Sequence, residues 1–210
     1  MNNRVKRIGL TQRIASAPNY AEIRDTLAHD WYQFVANNLP EMTCIALPNI
    51  GNKIISYTKS LDIDAIILTG GNDIGSEPLR DNTEKILLEY AQSSDIPIIG
   101  VCRGMQLIQH FFGGELAPRN SDHHVATSHK LYFSESCPIQ SLRGSSQTVN
   151  SFHTSGIDFP AEPLISFAFD EWNGVEALFH PDARLLGIMW HPERSNNDFN
   201  RILFRNFLEL

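Results

Sequence analysis

The sequence predicts an α/β fold of three layers, in which a mostly parallel central sheet is flanked by helices. Three observations carry that reading. Short β-branched runs that are apolar on both faces alternate with segments of helical period in the first half, as buried parallel strands joined by crossover helices do. Three apolar strand patterns end abruptly in polar or glycine-rich motifs. A closing amphipathic segment follows the last of the strand runs.

In chain order, Arg7–Gln12, Met42–Leu47, Asp64–Thr69 and Ile96–Val101 read as strands. Between them Asp30–Asn38, Asn52–Leu61 and Asp81–Ser94 have helical period. In the last of these, Asp81 has the place of an N-cap, Glu84 follows three residues later, and Ile86, Leu87, Tyr90 and Ala91 share one face. From about Ser128 the texture changes to strands separated by short turns, His129–Phe133, Leu164–Phe169, Gly174–Phe179 and Arg184–Trp190, which suit antiparallel or mixed pairing. Asp198–Leu208 closes the chain as a helix, and Pro118–His129, the most polar stretch, reads as a surface loop.

Length and composition narrow the class. A chain of 210 residues that is 42% hydrophobic buries roughly 70% of its unfolded surface, so one domain spanning 1–210 is expected. The formal net charge is −7 with no basic run, which argues against a nucleic-acid partner. The start, MNNRVKRIGL, is basic, but its apolar stretch is too short for a signal peptide, and no apolar span is long enough for a membrane helix. A cytoplasmic protein is therefore expected. Cys44, Cys102 and Cys137 are odd in number and widely spaced, a pattern that fits neither a disulfide framework nor a zinc site.

The most informative segment is Ile98-Ile99-Gly100-Val101-Cys102-Arg103-Gly104-Met105-Gln106, a strand running through G-x-C-x-G into a helical pattern. Glycines two positions either side of a central residue relieve crowding in a strained strand-to-helix turn, and the central side chain then stands exposed above the sheet. A helix N-terminus favours the thiolate form of a cysteine placed on it, and the free N–H of Arg103 can hold an oxyanion. Cys102 is the candidate nucleophile. Near the C-terminus the buried-strand run Leu185–Trp190 stops at His191-Pro192-Glu193. His191 can take and return a proton, and Glu193 can accept its second N–H and fix the tautomer. A third strand ends in Thr69-Gly70-Gly71-Asn72-Asp73, where backbone N–H groups can approach a ligand, and Gly71 is the candidate second oxyanion donor.

The set T-G-G-N-D, G-V-C-R-G-M-Q and W-H-P-E, in that order, resembles class I glutamine amidotransferases, whose fold is flavodoxin-like. Within them the chain is similar to free-standing γ-glutamyl hydrolases of the peptidase C26 type. The resemblance runs from Ile8 to the final helix. It implies a Cys102–His191–Glu193 triad, an oxyanion hole from the N–H groups of Gly71 and Arg103, and a γ-glutamyl thioester intermediate with no cofactor or metal. It also implies that Gln106 contacts the glutamyl group and that the backbone around Asn150, Ser151 and Phe152 holds its α-amino and α-carboxyl ends. The N-terminal pattern I-G-L-T-Q-R with Tyr20, Glu22, Arg24, Leu27 and Asp30-Trp31 resembles a narrower group, the γ-glutamyl-CDP-amidate hydrolases linked to bacterial capsule phosphoramidate.

Other readings remain open at this level. The same triad serves a glutaminase subunit that passes ammonia to a synthetase partner, a hydrolase of γ-glutamyl-γ-aminobutyrate or another γ-glutamyl peptide, and, with the chemistry lost, a binding protein. A small-molecule γ-glutamyl substrate is expected, handled by a monomer or homodimer. Asp122, His123, His124 and His129 have ligand-type side chains, but their spacing fixes no metal geometry and solvated loop histidines are expected. His110 and His153 are read as structural, Glu176 as a sheet-face carboxylate outside the site, and Arg80, Arg119 and Arg143 as surface charge.

Overall fold

The computed structural model describes residues 4–195 and 197–210, so the first three residues of the basic start lie outside it. The strands are β1 (Lys6–Thr11), β2 (Arg13–Ser16), β3 (Ile23–Thr26), β4 (Met42–Leu47), β5 (Ala65–Leu68), β6 (Ile98–Val101), β7 (Ala117–Pro118), β8 (Val125–Phe133), β9 (Ser146–Phe152), β10 (Ser155–Gly156), β11 (Ile165–Asp170), β12 (Val175–Phe179) and β13 (Leu185–Ile188). The helices are α1 (His29–Asn38), α2 (Ile54–Ser60), α3 (Pro78–Ser94), α4 (Arg103–Phe111), α5 (Ser121–His124) and α6 (Asp198–Leu208).

The central sheet is nine-stranded among the described residues, in the order β4-β1-β5-β6-β13-β12-β11-β8-β9. From β4 to β13 every pairing is parallel. From β13 outward every pairing is antiparallel, the wing expected of the second half. Period-two alternation splits each inner strand between two cores. On β5, Ala65 and Ile67 face the core built with Trp31, Phe34 and Val35 of α1 and Leu203 and Phe204 of α6, whereas Ile66 and Leu68 face the core of Leu87 and Leu88 of α3 and Met105 and Ile108 of α4. The outcome is three layers with helices on both faces of the sheet. Among the described residues no helix is long and apolar enough to cross a membrane.

The structure corrects four local expectations. The strand at the N-terminus ends at Thr11, and a hairpin of β2 and β3, which no alternation in the sequence announces, occupies the next segment. Helix α3 starts at Pro78, not Asp81. Asp81 lies within its first turn, accepting from the Gly75 N–H at 2.8 Å and pairing with Arg103. Pro118–His129 is not a surface loop, since it holds α5 and enters β8, and His124 and His129 are each 3% exposed. Arg80 is not surface charge but fully buried. Both buried basic residues are explained by carboxylates: Arg80 Nε bonds Glu84 at 3.0 Å, and Arg103 pairs with Glu84 and Asp81, so each charge that loses water gains a partner.

Candidate active site

At the parallel edge of the sheet, β6 ends at Val101 and α4 begins at Arg103, leaving Cys102 with φ 53° and ψ −107°. A non-glycine residue in that region is strained, and the flanking glycines make it attainable. A Cβ on Gly104 would stand 2.1 Å from the Leu68 carbonyl oxygen, and one on Gly100 would stand 2.5 Å from the Gly104 carbonyl carbon. Only glycine lets α4 start this close to β5 and β6. Cys102 is 7% exposed. All three cysteines are free thiols. Burial pushes the Cys44 thiol up to about 11 and raises Cys137 as well, which leaves those two as poor nucleophiles.

His191 follows β13, which pairs in parallel with β6, so the strand ends of Cys102 and His191 are neighbours. The His191 Nδ1–H donates to Glu193 Oε1 at 2.7 Å across a short helical turn, Pro192–Arg194. Cys102 lies beside the same ring, since a Cβ on Gly70 would stand 3.5 Å from both Cys102 Cβ and His191 Nε2. Burial by itself lowers the imidazole pKa, but the hydrogen bonds to Cys102 and Glu193 and their charges outweigh it and raise His191 to about 9. The arrangement therefore favours the imidazolium form of His191, with the Glu193 carboxylate accepting its Nδ1–H. From the wing, Asn150 on β9 clamps the His191 backbone. Its Oδ1 accepts from the His191 N–H and its Nδ2 donates to the His191 carbonyl, each at 2.8 Å.

The glycine pair after β5 lies against this ring, since a Cβ on Gly70 would meet His191 Cε1 at 2.8 Å. Gly71 has φ +83°, a conformation glycine adopts readily. Arg80 donates to the carbonyls of Thr69 at 2.7 Å, Gly70 at 3.2 Å and Gly71 at 2.5 Å. In a trans peptide the N–H points opposite to the C=O, so the bond to the Gly70 carbonyl turns the Gly71 N–H away from Arg80. Among the described residues that N–H has no acceptor. The Arg103 N–H, first in α4, has no helical acceptor either.

The remaining sequence candidates divide. Gln106, on the first turn of α4, is buried and donates to the Ser155 carbonyl at 2.8 Å. Ser151 is fully buried and its hydroxyl donates to the His124 carbonyl at 2.9 Å. Phe152 is 41% exposed, stands edge-on to His191 at 5.7 Å between ring centroids, and carries the Arg194 guanidinium 4.5 Å above it. A pocket beside Gly70, Gly71 and His191 is walled by Trp31, Arg13 and Arg194. Arg13 comes from the hairpin that the sequence does not reveal. Asn72 holds that hairpin in place through two bonds to Ile14, Oδ1 accepting from its N–H at 2.9 Å and Nδ2 donating to its carbonyl at 3.0 Å. The one sequence signal for this is the N of T-G-G-N-D, whose amide can cap an extended backbone from both sides.

Away from the cysteine, the wing buries His124, His129, His153 and Glu176 together. Burial and the neighbouring His153 bring His124 down to about 4, although Asp170 opposes them. His129 and His124 are thus not solvated histidines, and Glu176, on β12 as expected, faces them while buried.

Sheet order, elbow and histidine place the molecule in the class I glutamine amidotransferase fold. Residues 8–193 match the family model described as Peptidase C26. The chain belongs to the peptidase C26 family and is an enzyme, a hydrolase acting on carbon–nitrogen bonds. It is 33% identical to the γ-glutamyl-CDP-amidate hydrolase of Campylobacter jejuni over 97% of this chain and 98% of that protein. It is 31% identical to a subunit of the glutamine-hydrolysing GMP synthase of Methanococcus maripaludis over 71% of this chain and 75% of that protein. The crystal structure of a GMP synthase subunit homologue from Thermoplasma acidophilum superposes with a TM-score of 0.76 at 20% identity, covering 99% of this chain and 94% of that one. That likeness bears on the fold.

Proposed function

We propose that this enzyme hydrolyses the γ-glutamyl amide of a nucleoside diphosphate amidate, γ-glutamyl-CDP-amidate, to glutamate and cytidine diphosphoramidate. The observation that carries the chemistry is the Cys102–His191–Glu193 array beneath two free backbone N–H groups. The Cys102 thiolate attacks the γ-carbonyl carbon, and the resulting oxyanion is held by the N–H groups of Gly71 and Arg103. The His191 imidazolium then gives its proton to the departing nitrogen, the C–N bond breaks, and a γ-glutamyl thioester remains on Cys102. Water, deprotonated by His191, attacks the thioester, releases glutamate and restores the thiolate–imidazolium pair. Glu193 stabilises the charged ring through both halves and never leaves its hydrogen bond.

Two observations support the nucleotide-linked leaving group. Similarity to the Campylobacter hydrolase extends over 97% of the chain, whereas that to the Methanococcus synthase protein stops at 71%. Arg13 and Arg194 wall the pocket beside His191, and guanidinium groups suit the phosphate oxygens of a diphosphate. A role in capsule phosphoramidate formation follows from this substrate. The second reading, a glutaminase that feeds ammonia to a separate synthetase, draws on the GMP synthase similarity. Glutamate release measured in parallel on γ-glutamyl-CDP-amidate, γ-glutamyl-γ-aminobutyrate, γ-glutamyl-polyglutamate and glutamine separates them. A kcat/KM at least about 100-fold higher on the nucleotide conjugate is expected, whereas activity on glutamine alone, rising with a synthetase present, overturns the proposal.

A further inference from the structure

Sequence spacing offers no basis for a metal, because the four ligand-type residues that matter come from four separate segments: His124 from α5, His129 from β8, His153 just after β9 and Glu176 from β12. The fold brings one donor atom of each within 4.8 Å of all the others. All four residues are at most 4% exposed. We propose that they form a site for one divalent first-row transition ion, with zinc the best match, that braces the antiparallel wing against the strand leading to His191.

The His129 Nδ1 lies 3.1 Å from the Lys130 carbonyl and the His153 Nδ1 lies 3.1 Å from the Ser155 carbonyl. A carbonyl only accepts, so both Nδ1 atoms carry the hydrogen, and in the neutral rings both Nε2 atoms present lone pairs. Those two Nε2 atoms and Glu176 Oε2 are buried and have no hydrogen-bond partner. They nonetheless point at one another, His153 Nε2 standing 3.4 Å and His129 Nε2 3.8 Å from the Glu176 carboxylate oxygens. Lone pairs facing a carboxylate in a buried site repel, and a carboxylate stripped of water without compensation is costly. A cation between them removes both penalties.

Geometry and ligand type agree. The separations are too long for good N–H···O bonds, but they are close to the edge of a tetrahedron with metal–ligand bonds of about 2.0–2.1 Å, which is about 3.3 Å. Holding the Nδ1–H of a ligating imidazole on a backbone carbonyl is the outer-shell arrangement that fixes the tautomer at metal sites. His124 packs against both rings, 4.9 Å from His153 and 5.3 Å from His129 between centroids. Asp170 Oδ2, itself buried and unpartnered, is 3.6 Å from His124 Nε2. Three imidazoles and a carboxylate are borderline-soft donors that suit zinc better than calcium or magnesium, and four protein ligands fill the shell, which makes the site structural. A pocket of about 360 Å³ lies on one side of the cluster, lined by His124, Asp170 and Trp172.

The cluster touches the catalytic edge at two points. The Ser155 carbonyl that fixes His153 also accepts from Gln106 on α4. The Glu176 carbonyl accepts from the Met189 N–H at 2.8 Å, two residues before His191. An ion holding Glu176 and His153 therefore ties β12 and the β9 end to both the elbow helix and the histidine strand.

The test is zinc binding by the full chain, stripped with chelator, reloaded with zinc chloride, and read by elemental analysis and by competition with a chromophoric chelator. Wild-type and Cys102→Ala proteins are expected to bind one zinc per chain, with Glu176→Gln and His153→Gln weakened by at least about 100-fold. Zinc should raise the melting temperature of the first pair and not of the second, so variants that fold poorly still report through the wild-type and Cys102→Ala chains. Cobalt(II) in the wild-type site should give visible bands of a tetrahedral ion without thiolate charge transfer. Failure of the wild-type chain to bind zinc stoichiometrically, binding lost in Cys102→Ala, or affinity unchanged in Glu176→Gln each overturns the proposal.

Discussion

Replacing Asn150 with alanine removes a brace of the proposed acid–base residue without touching its ring, because the amide holds the His191 backbone from both sides. Each of the two bonds is 2.8 Å long, and each such bond contributes about 1 kcal/mol net. Asn150→Ala should therefore lower unfolding free energy by about 2 kcal/mol, read as a shift of the urea midpoint at unchanged m-value. Loss of the clamp lets the ring drift relative to Cys102, and a misplacement of about 1 Å costs roughly 100-fold in rate. Steady-state glutamate release should show that fall in kcat with little change in KM. Asn150→Asp keeps the acceptor for the His191 N–H but sets an oxygen against the His191 carbonyl, so it should rescue neither stability nor rate. A rise in KM at unchanged kcat would assign Asn150 to substrate contact instead and refute the positioning argument.

Four further outcomes follow from the same geometry. Because Glu193 helps hold the His191 proton, with the histidine near 9, the alkaline limb of kcat/KM should fall near pH 9 in the wild type and move to lower pH in Glu193→Gln, measured as a pH–rate profile. The raised pKa also fixes a stability sign: the contribution of His191 is complete below about pH 6.5 and is lost as pH rises through about 9, so the urea midpoint should decline over that window in the wild type but not in His191→Gln. Gly104→Ala sets a Cβ 2.1 Å from the Leu68 carbonyl oxygen, which forces α4 off β5 and should cost about 3 kcal/mol by urea denaturation. Arg80→Met leaves Glu84 with one partner and frees three carbonyls, so a loss of about 3–5 kcal/mol together with reduced kcat is expected, and Arg80→Lys should not restore kcat because a point charge cannot fork across the carbonyls.

What can be read from the sequence and what cannot divide on physical lines. Strands buried on both faces, such as Ala65–Leu68, betray themselves by unbroken apolar composition, and the elbow is legible because glycine, cysteine and glycine at fixed spacing answer one local steric problem. The β2–β3 hairpin is illegible for the opposite reason: its strands are mostly exposed and it is held by Asn72, a contact 58 residues away in sequence. Arg80 reads as surface charge because, although Glu84 lies one turn away on the same helix, the Thr69, Gly70 and Gly71 carbonyls that enclose it come from another element. The buried histidines escape detection likewise, since His124 and His129 sit in the most polar stretch of the chain and meet His153 and Glu176 only through the antiparallel wing. The role that the resemblance implies for the Asn150–Phe152 segment belongs to its backbone, and the clamp that the Asn150 side chain forms on the backbone of His191 has no sequence signal.

The most direct measurement is rapid-quench intact mass of the wild-type chain mixed with γ-glutamyl-CDP-amidate. A transient increase of one glutamyl unit, mapped by peptide digestion to Cys102, is predicted, together with its absence and the loss of glutamate release in Cys102→Ala. Full turnover by Cys102→Ala, or an adduct mapped to Cys44 or Cys137, would contradict the thioester mechanism.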